Sequence, residues 1–116
     1  MIWFDFAIAD SMFPSSCAIQ KLALNTEEAK AYIASAKPCL NPSHQATITA
    51  LTSRFGIDVE IPSVPPKVTL ETGDAIVVMG VRGLPRLTDR HEYTAEEIAG
   101  ASFEFALYEV VAPYLV

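Results

Sequence analysis

Chemically versatile side chains are scarce in this chain. It holds two histidines, His44 and His91, and two cysteines, Cys17 and Cys39. Two widely spaced cysteines make no metal-binding motif, and two free thiols in a reducing compartment are expected. Glycine is sparse at five residues, and none of them builds a phosphate-binding loop, a dinucleotide fingerprint or a nucleophile elbow. No apolar run approaches the roughly 20 residues needed to cross a bilayer. The N-terminus, Met1-Ile2-Trp3-Phe4-Asp5, has neither the basic start nor the apolar stretch of a secretion signal. These absences predict a soluble, cytoplasmic protein without cofactor or metal. Basic charge is also short. Eight Lys and Arg face 14 Asp and Glu, a net charge of −6, which argues against bulk binding to DNA or RNA.

What is present suffices for one folded domain. A chain of 116 residues, 51% of them hydrophobic, buries a modest core and is too apolar for disorder. The aromatic and branched run Ile2–Ile8 reads as a strand, and Cys17–Leu24 as a second. Asn25-Thr26-Glu27-Glu28 carries a capping box that starts a helix through about Ala36, and Lys37-Pro38 stops it. A second helix runs from Pro42 to about Phe55, with Gly56 as its stop. Asp58–Ile61 reads as a short strand and Val68–Leu70 as extended chain. Ala75–Met79 is apolar on both faces, as in a central strand. Thr94-Ala95-Glu96-Glu97 opens a short third helix, and Ser102–Val111 alternates as a last strand. The fold class is α/β: a single domain, residues 1–116, with a mixed sheet of about five strands flanked by helices.

His44 is the most informative residue. Asn41 is a good N-cap and Pro42 fits the first helical position. That places His44 in the first turn, where unpaired N–H groups and the helix dipole attract anions. An imidazole there can exchange a proton with a bound phosphodiester near neutral pH. Ser43 and Thr47 offer hydroxyls to the same anion. The plainer reading of His44 is a polar residue capping a helix end. His44, Ile48, Leu51 and Phe55 share one helical face, so the ring sits at the rim of the buried stripe.

All four arginines follow residue 53, and Arg82, Arg86 and Arg90 fall within one short stretch. Arg82-Gly83-Leu84-Pro85-Arg86 is either a solvated loop or a phosphate clamp built from guanidinium forks. Asp89 is either a turn aspartate or a carboxylate that orients a histidine. His91 has no motif to support it as a second proton donor. Met12 and Phe13 form a base-stacking surface or a hydrophobic lid, and Trp3 packs in the core or at a subunit contact.

The order of these features resembles a family of small proteins first seen in crenarchaeal viruses, including the turreted icosahedral virus, with members in bacteria and phages. The resemblance rests on Pro42-Ser43-His44-Gln45-Ala46-Thr47, Ile57-Asp58-Val59-Glu60-Ile61-Pro62, Thr69–Val78, Arg82-Gly83-Leu84-Pro85-Arg86-Leu87 and Tyr93-Thr94-Ala95-Glu96-Glu97. Some members are viral ring nucleases that act as type III anti-CRISPR proteins. The resemblance implies a homodimer that binds cyclic tetra-adenylate, or a related cyclic oligonucleotide, in a cleft across the dimer and cleaves it without metal. The family's histidine falls on His44, its loop arginine on Arg86 and its catalytic glutamate on Asp89. Here Asp replaces Glu, Ser43 replaces a glycine, and Ala9-Asp10-Ser11 replaces an Asn/Ser-rich loop. The expected site is therefore His44 and Asp89 for catalysis, with Arg86, Arg82, Ser43, Thr47 and Ser11 binding the ligand. The alternative is a non-catalytic homodimer that binds a nucleotide or a protein, and behind it a DNA-binding dimer.

Overall fold

A computed structural model describes residues 1–88 and 92–113 of the chain. Strands β1 (Ile2–Asp5), β2 (Cys17–Leu24), β3 (Lys37–Pro38), β4 (Ala75–Arg82) and β5 (Ser102–Pro113) form one sheet in the order β2-β5-β4-β1-β3. β1 runs parallel to β3 and β4, whereas β5 runs antiparallel to both β4 and β2. The α/β class and the five-stranded mixed sheet match the sequence reading. The doubly apolar segment is indeed the middle strand: Ala75, Ile76, Val77 and Met79 are all buried.

Helices α1 (Thr26–Ser35), α2 (Gln45–Phe55) and α3 (Ala95–Gly100) complete the architecture. The main core joins Ala29 and Ile33 of α1 and Ile48 and Leu51 of α2 to Phe4, Val77, Met79, Phe105 and Leu107 of the sheet. The opposite face of the sheet is covered by loops. Val68 and Leu70 pack there on Ile76, Val110 and Cys39, with Trp3, Met12, Phe13 and Cys17 around them. Met12 and Phe13 thus serve as a lid on this second core, held by a bond from Leu70 N–H to Met12 O of 2.7 Å. Both cysteines are free thiols.

Two expectations are corrected. Asp58–Ile61 forms no strand, although Val59 and Ile61 do pack on the core. The reason lies in β3, the strand it would have to join. Cys39 N–H donates to Phe4 O at 2.9 Å, so residues 37 and 39 face β1 and Pro38 faces outward. Proline has no N–H, and the outer edge lacks a donor there. Helix α1 does stop ahead of Lys37-Pro38, as read, and that pair also forms the edge strand. The second correction concerns the start of α2. Pro42–His44 is a turn of 3-10 helix, and the α-helix begins at Gln45.

Candidate functional site

The three parallel strands end on one side of the molecule, where open α/β sheets hold their ligands. β1 ends at Asp5, whose register partner on β4 is Val78. β3 ends at Pro38 and leads through buried Cys39 and Leu40 into the Asn41-Pro42-Ser43-His44 turn. This wiring sets His44 beside the end of β1. The Phe6 and His44 rings lie 4.9 Å apart, centroid to centroid, at an angle of 57°.

The turn is closed by its own side chains. Asn41 Oδ1 accepts Ser43 N–H at 2.9 Å and also the Ser43 hydroxyl. His44 Nδ1 accepts the Asn41 N–H at 3.3 Å, completing a capping box with an imidazole in the role usually held by a carboxylate. A neutral ring in this arrangement carries its proton on Nε2. Nε2 has no hydrogen bond among the described residues.

The same turn weakens the expected anion site. His44 N–H is already bound to Asn41 O at 3.0 Å, and Gln45 N–H to Pro42 O. Two donors that a bare helix start offers to phosphate are therefore spent. Ser43, read as a ligand contact, uses its hydroxyl on Asn41. Thr47 is half-buried one turn further on, and Ser11 is exposed in the 3-10 turn Asp10–Met12.

Arg82 and Arg86 are both exposed. Arg82 ends β4 four residues beyond Val78, roughly 13 Å further along the strand direction than Asp5. No contact joins either arginine to His44 among the described residues. Gly83 takes a φ of 88°, open to glycine, and its α-carbon faces Gly100 O and Ala101, where a Cβ would stand 3.5 and 3.6 Å away. The base of the arginine loop thus lies beside the end of α3, and the positive φ is what favours glycine there. Asp89 and His91 lie outside the described residues.

Asp5 was not singled out by sequence. Its half-buried carboxyl is pushed above the usual range by burial, while the bond from Phe6 N–H (2.7 Å) and the charge of His44 pull it back. Cys39, buried beside it, is pushed up to about 11, by burial first and then by Asp5. Its thiol is therefore protonated at neutral pH. A carboxylate at the end of a parallel strand was the available sequence signal for Asp5. Arg54 was also missed, and its role is structural. Its guanidinium donates to Ile98 O (2.8 Å), Ala99 O (3.3 Å) and Ala101 O, closing the end of α3, and stacks by Phe55 and Phe103.

One groove of about 600 Å³ runs along the β3 edge and another of about 710 Å³ along α2, and neither is lined by His44, Arg82 or Arg86. Among the described residues no group of three His, Cys, Asp or Glu side chains is placed to hold a metal ion. No helix there is long and apolar enough to cross a membrane.

No family model and no curated protein matches the sequence. The structure is similar to that of B116 of Sulfolobus turreted icosahedral virus, with a TM-score of 0.68 at 16% identity, over 93% of this chain and 97% of that one. The two share a fold. This agrees with the crenarchaeal-virus resemblance at the level of architecture.

Proposed function

We propose that this chain is a homodimeric, ring nuclease-like phosphodiesterase that opens cyclic tetra-adenylate. The observation that carries the reading is the position of His44. Its ring sits half-buried at the carboxyl ends of the parallel strands, with Nδ1 engaged by Asn41 and Nε2 left for a ligand. The fold shared with a viral protein adds support for the family resemblance.

In this reading a ribose 2′-hydroxyl attacks its own adjacent phosphate in line. The new 2′-O–P bond forms as the P–O5′ bond breaks, leaving a 2′,3′-cyclic phosphate and a free 5′-hydroxyl. The departing O5′ takes a proton from the His44 imidazolium, and the 2′-hydroxyl proton passes to solvent. The family resemblance gives Arg86 and Arg82 the stabilisation of charge on the phosphoryl oxygens, in a dimer from either protomer, and gives Asp89 the role of carboxylate partner to the imidazole. No metal takes part. Because His44 lies on an open surface of one protomer, a second copy supplies the other wall, and a two-fold pair suits a ring of identical units.

The reaction is tested with radiolabelled cyclic tetra-adenylate in EDTA. Linear product ending in a cyclic phosphate is expected, and His44→Ala should slow its formation about 10²–10⁴-fold while ligand binding persists. Retention without cleavage favours a second reading, a non-catalytic nucleotide-binding module. That reading is favoured by one observation: Ser43 and Nδ1 already serve the cap. Full activity in His44→Ala overturns the mechanism.

A further inference from the structure

We infer that the groove along β3 and the proline-rich bend beside it form one self-complementary surface, on which a second copy of this chain docks. The inference deepens the homodimer of the reading above and rests on it for the use of the second copy, whereas the surface itself is argued from side chains outside the His44 turn.

The chain sets a knob next to a hole. The groove of about 600 Å³ is lined by Trp3 and Pro38 of the sheet, Ile33 of α1, and Pro62 and Pro66 of the bend. Val64 stands on its rim and is 78% exposed, more than any other large apolar side chain among the described residues. Pro62, Pro65 and Pro66 fix the backbone around Val64. A tip held in this way loses little freedom when it enters a pocket. No strand ladder competes for the place, because Pro38 faces outward from β3 without an N–H.

Charge follows the same pattern. Lys37 lines the groove from β3, and Asp58 and Glu60 line it from the chain that leads into the bend. All three are exposed, and none joins an ion pair among the described residues. The Lys37 ammonium lies 5.9 Å from the centre of the Trp3 ring instead. Both signs thus stand unpaired on one patch. A two-fold pairing brings such a patch against itself, so every contact is made twice. Val64 of each copy fills the groove of the other, and Lys37 of each meets the acidic pair of the other. A peptide or a small apolar ligand would fill the hole alone, leaving Val64 in water and the charges unmatched. The edge also suits the site. β3 leads from Pro38 through Cys39 and Leu40 to the Asn41–His44 turn, so a copy seated on β3 stands beside the turn that needs a second wall.

Sedimentation of the full chain tests this without reference to cleavage. A mass twice that of the chain is expected. Emission from Trp3, the only tryptophan, should shift as dilution separates the copies. Val64→Glu puts a charge where an apolar tip enters the groove, at a position exposed enough to leave the circular dichroism spectrum unchanged. It should weaken the pairing about 10-fold or more. Lys37→Glu, and separately Asp58→Lys combined with Glu60→Lys, should each weaken it about 10-fold by setting like charges together. Mixed in equal amounts, these two charge variants should restore the dimer mass, because each then meets the opposite sign. A monomer at every concentration overturns the inference and gives the groove to some other occupant. A dimer that Val64→Glu leaves intact, or a charge swap that mixing does not rescue, overturns the surface. If the dimer behaves as expected and the ring is not cleaved, the phosphodiesterase reading falls and the inference stands.

Discussion

Helix α1 and the 3-10 turn that leads into α2 begin on one plan with one exchange of residue. Each has an asparagine N-cap whose side-chain oxygen accepts a backbone N–H from the first turn: Glu28 N–H at 2.8 Å on Asn25, Ser43 N–H at 2.9 Å on Asn41. Each also has a third residue reaching back to the cap N–H. In α1 this is Glu28 Oε1 at 3.0 Å, and in α2 it is His44 Nδ1 at 3.3 Å. A third box, Thr94 with Glu97, repeats the carboxylate version at α3. Glu28 is exposed and has only the cap to serve. His44 is half-buried and touches Phe6. A cap can be built from either side chain, but only the imidazole exchanges a proton near neutral pH. The difference between the two helix starts is thus what separates a structural device from a candidate catalytic one.

The sharpest way to break this comparison is to make the two starts alike. His44→Gln turns the α2 box into the ordinary kind. Cleavage of cyclic tetra-adenylate should then fall about 10²–10⁴-fold with little change in thermal stability. Glu28→Gln should leave cleavage untouched. A matched loss of activity from both variants would mean that cap geometry, and not the imidazole, is what the reaction needs.

Removing the caps themselves has a smaller effect and should treat the two helices differently. Asn25→Ala and Asn41→Ala each lose about 1 kcal/mol of stability by chemical denaturation. The second also frees the Ser43 hydroxyl, so ligand affinity should hold or rise in Asn41→Ala. A fall in affinity would show that Asn41 itself contacts the ligand.

Next in size is the cost of the half-buried carboxylate at the end of β1. Asp5 binds its proton more tightly in the folded chain than in the unfolded one, since burial raises it. That sign means the penalty is absent below the ordinary carboxylate range and grows as pH rises through the raised value. Asp5→Asn should therefore increase Tm by a few °C at pH 7 and by nothing near pH 3. Asp74 has the opposite sign. The Glu71 N–H, and after it the N-terminal ammonium, hold it below the usual range, so its contribution is lost as pH falls. Following Tm of the Asp5→Asn and Asp74→Asn variants across pH separates the two.

Much of this was readable from local spacing. The capping boxes are three-residue patterns, and the apolar run Ala75–Met79 announces a strand buried on both faces. The strand order is not local. Nothing near Lys37-Pro38 distinguishes a helix stop from an edge strand, because that depends on β1 lying alongside. The alternation of Asp58-Val59-Glu60-Ile61 was real, and its side chains do face in and out, but a ladder needs a neighbour with donors and Pro38 removes one. The contact of Phe6, just past β1, with His44 is the least local of all. It exists because β1 and β3 run parallel, so that two segments far apart in the chain finish side by side. His44 was legible as a helix-start histidine. Its cap bond, read at first as the plainer alternative to a functional role, turns out to coexist with a placement suited to chemistry.

The smallest expected effect is also the most direct reading of the comparison. A proton on Nδ1 destroys the acceptor that the Asn41 N–H uses, whereas a charged carboxylate such as Glu28 remains an acceptor. A phosphate near Nε2 favours the imidazolium, so on binding cyclic tetra-adenylate the exchange protection of the Asn41 amide should drop a few-fold to roughly 10-fold, while that of the Asn25 amide stays level. If the two amides keep step with each other with and without ligand, the His44 ring is a cap and nothing more.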